Sequence, residues 1–179
     1  MTKRWWIGVA VIATGCSGSP APVAAVRAAP APRPYSTLAQ VMRGIPFPNS
    51  NIVFDTQTTD PGAKREPGEA RSGGATADFG KVYGGWQAVE NSALAVAETA
   101  TLITVPGRLC ENGRPAPVDR EDYQRFAKQL ADAGLAAYKA AQSKNLDAMV
   151  EVSGTVSDAC AACHEVYRDK DDEKNRCIP

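Results

Sequence analysis

The sequence predicts an all-α fold, an antiparallel four-helix bundle. Three long segments carry apolar residues at alternating steps of three and four, the spacing that gathers side chains on one face of a helix. A shorter segment before them shows the same pattern. No convincing segment alternates polar and apolar residues with the period of two that a strand requires. Helices with one apolar face bury those faces against each other, which predicts a bundle.

The first predicted helix is the short one, over residues 35–45, with Ser36 as a candidate N-cap. Its apolar positions are Leu38, Val41, Met42 and Ile45. Pro46 and Pro48 predict its end, because proline cannot donate a helical hydrogen bond. Residues 51–56 are expected to add a helical turn, and a Gly-, Pro- and charge-rich stretch of about residues 57–77 is expected to be a long surface loop.

The second helix is predicted from Asp78 to the Pro106-Gly107 pair. Its apolar positions are Phe79, Val82, Trp86, Val89, Ala93, Val96, Ala100 and Ile103. The third is expected to begin at Asp119, a candidate cap, with Asp122 three residues later in a capping arrangement. Its apolar positions are Tyr123, Phe126, Leu130, Ala133, Ala137 and Ala141.

The fourth helix is predicted to begin near Asn145, and Gly154 is a candidate for a kink or break within it. Its apolar positions are Leu146, Met149, Val152, Val156, Ala159, Cys163 and Val166.

This last helix carries the motif Cys160-Ala161-Ala162-Cys163-His164. The spacing C-x-x-C-H is typical of covalent c-type haem attachment. Two thiols three residues apart on a helix can form thioethers with the two vinyl groups of one haem. His164, four residues after Cys160, lies on nearly the same face and is expected to be the proximal iron ligand. The fold class is therefore a bundle with a C-terminal haem-binding helix, and the cofactor is one haem c.

Other interpretations of the motif fit less well. A thioredoxin-like C-x-x-C needs a βαβ pattern around it, which the sequence lacks. A structural zinc site needs four ligands, and the chain has a single histidine to add to the two thiols. Two buried thiols beside a core histidine would leave the spacing unexplained.

The N-terminal segment predicts export. Residues 1–15 have a positive start at Lys3 and Arg4 and a short apolar run, typical of a secretory signal peptide. Small residues before Cys16 resemble a bacterial lipobox, which predicts lipidation of Cys16. The alternative is an ordinary signal peptide cleaved further on, near one of the small residues that follow Gly18. Residues 16–34 are rich in Ala and Pro and are expected to be a tether, and residues 35–179 form the bundle with a charged C-terminal tail.

Charge excludes one class of partner. The chain has 20 basic and 20 acidic residues and a formal net charge of zero. No basic patch is evident, so a nucleic-acid partner is not expected.

The stretch Cys160-Ala-Ala-Cys163-His164-Glu-Val-Tyr167-Arg168, near the C-terminus of a helical chain, resembles the class II c-type cytochromes, the cytochrome c′ family. The resemblance implies a four-helix bundle that holds the haem in its interior. It also implies one of two states of the iron: a distal position open to small gases, or one filled by a methionine of the first helix. The short first helix and the long loop after it depart from the family pattern.

Met42 is the candidate distal ligand, since it lies on the apolar face of the first helix and a thioether suits haem iron. Met149 lies fifteen residues before His164 on the same helix, roughly 20 Å along its axis. The alternative is that Met42 only fills space in the core. Arg168 is a candidate for contact with a haem propionate or, equally, a solvated residue, and Tyr167 is expected to belong to the core.

Once Cys16, Cys160 and Cys163 are assigned, Cys110 and Cys177 remain. An oxidising compartment permits a disulfide between them. Two free thiols or an intermolecular bridge are the alternatives.

The expected function is one-electron transfer in the bacterial periplasm, from a lipid-anchored position on a membrane, with redox proteins of the envelope as partners. Binding of nitric oxide or carbon monoxide at an open distal position is the alternative. An enzyme is not expected, because a peroxidase needs distal acid–base groups and no distal histidine is available. Related bundles often form dimers, so a homodimer is one expectation.

Overall fold

The computed structural model describes residues 33–64 and 84–179. Within these ranges the regular structure is helical, apart from one isolated bridge between Leu109 and Pro115. The helices are α1 (Leu38–Gly44), α2 (Pro46–Phe54), α3 (Trp86–Ile103), α4 (Glu121–Ser143) and α5 (Leu146–Tyr167). Single 3₁₀ turns follow at Asp55–Gln57 and Glu173–Asn175. The signal segment, Cys16, most of the tether and residues 65–83 lie outside the described residues.

The N-cap of α1 lies one residue later than predicted. Thr37 is its N-cap: the Thr37 hydroxyl accepts from the Gln40 amide at 3.3 Å, and the Gln40 side chain accepts from the Thr37 amide at 2.9 Å. This reciprocal pair satisfies two N–H groups that a helix start otherwise leaves free. Ser36, the predicted cap, instead accepts a bond from the Arg108 guanidinium through its carbonyl oxygen, at 2.7 Å.

The first helix ends before Pro46, as predicted, but a second helix begins at once, and the predicted turn over residues 51–56 is part of its continuation. Pro46 is the first residue of α2, where proline is tolerated because that N–H has no helical partner. The chain therefore bends at Ile45 and continues helically to Gln57. The result is a second short helix that packs against α3 and α5.

Helix α3 is described from Trp86, so the predicted positions Asp78, Phe79 and Val82 lie outside the described residues. The remaining predicted apolar face is confirmed: Val89, Ala93, Val96, Ala100 and Ile103 are all buried.

Helix α4 begins after Arg120, and no side chain caps it, so the prediction of Asp119 as the cap was wrong. The Asp122 carboxylate accepts from Arg120 and from the Tyr123 amide. Of its predicted apolar face, Phe126 is half-buried and the others are buried.

Helix α5 begins next to Asn145, as predicted, and Asn145 is its N-cap, its side chain accepting from the Ala148 amide at 3.1 Å. The helix continues through Gly154 without a break. Only Lys144 and Asn145 connect α4 to α5.

The helices pack against each other around one main core. Helix α4 contacts both α3 and α5, and α2 contacts the same two helices. A second cluster of buried residues lies beside the main one and contains Cys110, Ala116, Val118, Tyr123 and Tyr167. None of the described helices is long and apolar enough to cross a membrane.

Candidate cofactor site

The C-terminal half of α5 presents the three motif residues together. Cys160, Cys163 and His164 are all half-buried, and both cysteines are free thiols. The helix around them is held by its packing on α4 and α2 and by the burial of Tyr167, one turn beyond His164. The motif therefore stands on a rigid element with its side chains only partly covered.

The three residues line a single cavity of about 510 Å³. Its other walls come from α1 and α2, from α3 and α4, from the connection after α3, and from the segment after α5. The apolar side chains around it include Leu38, Met42, Phe54, Ile103, Phe126 and Leu130. A concave, mainly apolar cavity of this size with a few polar groups is the usual form of a cofactor site.

Met42 lies on the wall that α1 contributes. Its side chain is half-buried, packs against the main core and lines the same cavity as His164. Met149, in contrast, is fully buried in the main core and does not line the cavity. Of these two methionines, only Met42 shares the cavity with the motif.

Burial controls the ionisation of the motif residues. It raises the pKa of the Cys160 thiol, and it raises the pKa of Cys163 to about 11, with the nearby Cys160 adding to the shift. Burial also lowers the pKa of the His164 imidazole, and Arg168 lowers it further. The thiols are thus protonated and the imidazole is neutral near neutral pH, and a neutral imidazole is the form that binds a metal.

Tyr167 and Arg168 differ in their surroundings. Tyr167 is buried, as predicted, and its ring meets the ring of Tyr123 edge to face with the centroids 5.4 Å apart. Arg168 lines the cavity, but its guanidinium pairs with Asp169 at 2.6 Å and its side chain is 56% exposed. The sequence alone gave no sign of this pairing with the next residue.

A disulfide joins Cys110 to Cys177, with their Cα atoms 6.6 Å apart. It attaches the segment after α5 to the connection between α3 and α4. The Cys177 amide also donates to the Tyr167 carbonyl at 2.7 Å. Both cysteines line the cavity, so the disulfide is part of its wall.

Sequence reasoning missed several charged residues of the site. Arg43, Glu111 and Arg176 line the cavity. Arg43 donates to both oxygens of Glu111, at 2.8 and 2.9 Å. The predicted disulfide between Cys110 and Cys177 could have identified two of these residues. Glu111 and Arg176 are the sequence neighbours of the two cysteines, so the disulfide brings them together.

The residues present fit a covalently attached haem. Two free thiols at the required spacing, one imidazole and one thioether line the same apolar cavity. Across residues 33–64 and 84–179, no three His, Cys, Asp or Glu side chains cluster as a site for a bare metal ion would require. A zinc site at Cys160 and Cys163 therefore lacks further ligands in this part of the chain.

Comparisons with protein-family models, with curated proteins and with solved structures give no match to this chain.

Proposed function

We propose that this protein is a c-type cytochrome that carries one covalent haem and transfers single electrons. The observation that supports it most strongly is that Cys160, Cys163 and His164 line the same cavity as Met42. The proposal includes an antiparallel bundle with a haem-binding last helix, as in the cytochrome c′ family. The two-residue connection between the packed helices α4 and α5 supports that arrangement, since short connections join antiparallel neighbours.

Each residue has a distinct role in this proposal. Cys160 and Cys163 hold the porphyrin by thioether bonds, and His164 is the proximal ligand of the iron. Met42 is the candidate ligand on the distal side. Bound haem supplies reversible one-electron exchange between Fe(III) and Fe(II). The chain contributes the axial ligands, the orientation of the cofactor and an apolar wall that limits access of water.

The compartment follows from the same proposal. A disulfide between Cys110 and Cys177 is stable in an oxidising environment such as the periplasm. We therefore place the mature protein in the periplasm, attached to a membrane through a lipid on Cys16, with redox proteins of the envelope as its partners. A homodimer remains part of the proposal.

Binding of a small gas is the second candidate function, and one observation favours it. Met42 already packs against the main core, and its helix α1 has only seven residues. A methionine used for packing would leave the distal side of the iron to an external ligand such as nitric oxide or carbon monoxide.

The test is to express the full chain with a haem-maturation system and extract it with acidic acetone. Covalent haem stays with the protein, whereas non-covalent haem leaves it. Cys160→Ala and Cys163→Ala should each retain haem through one thioether, and the double variant should lose it. Haem that is extracted from the wild type would refute the proposal.

Absorption spectra then separate the two functions. A low-spin ferric spectrum with a sulfur-to-iron charge-transfer band, lost in Met42→Ala, would support electron transfer. A high-spin spectrum that Met42→Ala leaves unchanged, with rapid binding of carbon monoxide to the ferrous form, would favour gas binding. Met149→Ala is the control for general loss of packing, because Met149 is buried away from the cavity.

A further inference from the structure

Cations dominate the charged lining of the cavity. Three arginines, Arg43, Arg168 and Arg176, line it together with one carboxylate, that of Glu111. A haem carries two propionate carboxylates, and the guanidinium is the side chain that best matches a carboxylate in charge and geometry. The next question is which of the three arginines is placed to bind a propionate.

Two of the three arginines are ion-paired and mostly exposed. Arg43 donates to both oxygens of Glu111, and Arg168 donates to both oxygens of Asp169, at 2.6 and 3.2 Å. Their side chains are 65% and 56% exposed. Both are therefore solvated ion pairs at the edge of the cavity.

Arg176 is also ion-paired, but it is less exposed and one of its donors is unpaired. Its side chain is 32% exposed, and its Nη1 atom lies 3.0 Å from Glu173 and 3.8 Å from Glu111. Its Nε atom is buried and has no hydrogen-bond partner, which holds for no other buried side-chain nitrogen or oxygen in the described ranges. Buried polar atoms nearly always have partners, so an unpaired donor in a residue that lines a ligand cavity indicates a missing acceptor.

The backbone around Arg176 is fixed. The next residue, Cys177, is covalently joined to Cys110. The Asn112 side chain donates to the carbonyl oxygens of Glu173 and Arg176, both at 3.1 Å. Arg114 donates to the Lys174 carbonyl at 3.0 Å. The segment is thus attached to the connection between α3 and α4 at several points, which gives Arg176 a defined position in the wall.

We propose that the Arg176 guanidinium, its backbone held by the Cys110–Cys177 disulfide, turns to bind a haem propionate, which would give its unpaired Nε atom an acceptor. The inference rests on the proposed function. Glu111 and Glu173 are the ion-pair partners of Nη1. The other charged or titratable side chains along the cavity are those of Arg43, Arg168, His164, Cys160, Cys163, Tyr123 and Tyr167. Arg168, the residue that the sequence suggested for this role, is more exposed and pairs with the neighbouring Asp169.

The test uses the full chain carrying covalent haem and compares wild type with Arg176→Gln, Arg176→Lys and Arg168→Gln. The first readout is the reduction potential, measured by spectroelectrochemical titration. The second is the propionate bending band in resonance Raman spectra. Arg168→Gln is the matched control, since it removes the same charge from the same cavity lining.

Arg176→Gln should lower the potential, because an uncompensated propionate favours the ferric state. A tenfold change in the reduction equilibrium is expected, which is about 59 mV for one electron. The propionate band should shift as well. Arg168→Gln should change the potential by less than a third as much and leave the band in place. Arg176→Lys keeps the charge, so it should retain most of the potential while the band still shifts.

An unchanged potential and band in Arg176→Gln, or an equal effect of Arg168→Gln, would overturn the inference. If Arg176→Gln loses its helical circular dichroism, Arg176→Lys decides: a shifted band supports the contact, and an unchanged band excludes it. Failure of the proposed function is distinct, because then the wild type would carry no covalent haem. A variant with covalent haem and wild-type readouts refutes only the role of Arg176.

Discussion

Gly134 of α4 lies directly against the backbone of Ala97 in α3. A Cβ atom added to Gly134 would lie 2.6 Å from the Ala97 nitrogen and 2.9 Å from its Cα atom. Real side chains do not approach a backbone so closely, so the two helices are in contact only because residue 134 has no side chain. The small residues Ala93, Ala133 and Ala137, all buried, line the same closely packed faces.

Gly134→Ala should therefore destabilise the protein. Alanine favours a helix over glycine by about 1 kcal/mol, but the forced separation of α3 and α4 should cost more, roughly 1–3 kcal/mol net. Gly154→Ala is the matched control, because Gly154 is also within a helix and an added Cβ would meet nothing within 4 Å. It should stabilise by about 0.5–1 kcal/mol. Urea unfolding would measure both, and equal effects of the two substitutions would contradict the close contact.

Removing the disulfide should lower stability substantially. Cys110 and Cys177 are 67 residues apart, and closing so long a loop restricts the unfolded chain. Replacing both cysteines with serine should cost roughly 2–4 kcal/mol in the free energy of unfolding.

Reducing agent provides the control for this prediction, because thioether bonds resist it. It should lower the thermal midpoint of the wild type to that of the double serine variant and leave the variant unaffected. A wild-type midpoint that reductant does not change would argue that Cys110 and Cys177 are unpaired in solution.

The protein should lose stability in acid as Asp122 becomes protonated. Its hydrogen bonds with Arg120, and then with the Tyr167 hydroxyl, lower the pKa of the Asp122 carboxyl to about 2 from the usual 3.8. A carboxyl whose pKa falls on folding stabilises the protein fully above the unfolded pKa, and this contribution is lost as pH falls through the folded value. The loss should occur between about pH 4 and pH 2.

The measurement is the unfolding free energy of wild type and Asp122→Asn at several pH values across that window. The difference between them should shrink as the pH falls. Asp132→Asn is the control on the same helix, since the contact of Asp132 with Lys128 is solvent-exposed and contributes little. A wild-type advantage over Asp122→Asn that is constant with pH would contradict the role assigned to Arg120.

The haem-free chain should have an unreactive Cys163. With its pKa raised to about 11 by burial, compared with 9.0 for an ordinary thiol, it should react about 100-fold more slowly with iodoacetamide at about pH 8 than it does in denaturant. The folded rate should keep rising as the pH approaches that pKa. Peptide mass analysis would follow the site, and equal folded and unfolded rates would show that the thiol is solvated.

Much of the fold was predictable because apolar periodicity determines which helix faces are buried. Val89, Ala93, Val96, Leu130 and Ala137 are buried on the faces that their spacing indicates. Helix starts were less predictable, since they depend on individual hydrogen bonds. Thr37 rather than Ser36 caps α1, and no side chain caps α4 where Asp119 was expected. Pro46 correctly predicted the end of α1, but its second role as the first residue of α2 was missed, because proline breaks a helix interior and is tolerated at a first position.

The site was predictable where it is local in sequence. Cys160, Cys163 and His164 lie within five residues, so helical geometry alone groups them. Met42 could be suggested as a site residue only through the family that the chain resembles. Arg43, Glu111 and Arg176 come from three distant segments, and only tertiary packing brings them to the cavity.

The cavity has walls from both ends of the described domain, Leu38 near its start and Cys177 near its end. In the proposed export, a chain that emerges N-terminus first exposes the α1 wall early but has no opposing wall until residue 177 has followed. Completion of the cavity then has to wait for that residue. Until then the two motif thiols would stand beside an open groove, and under the proposed function that interval is when they are most accessible for haem attachment.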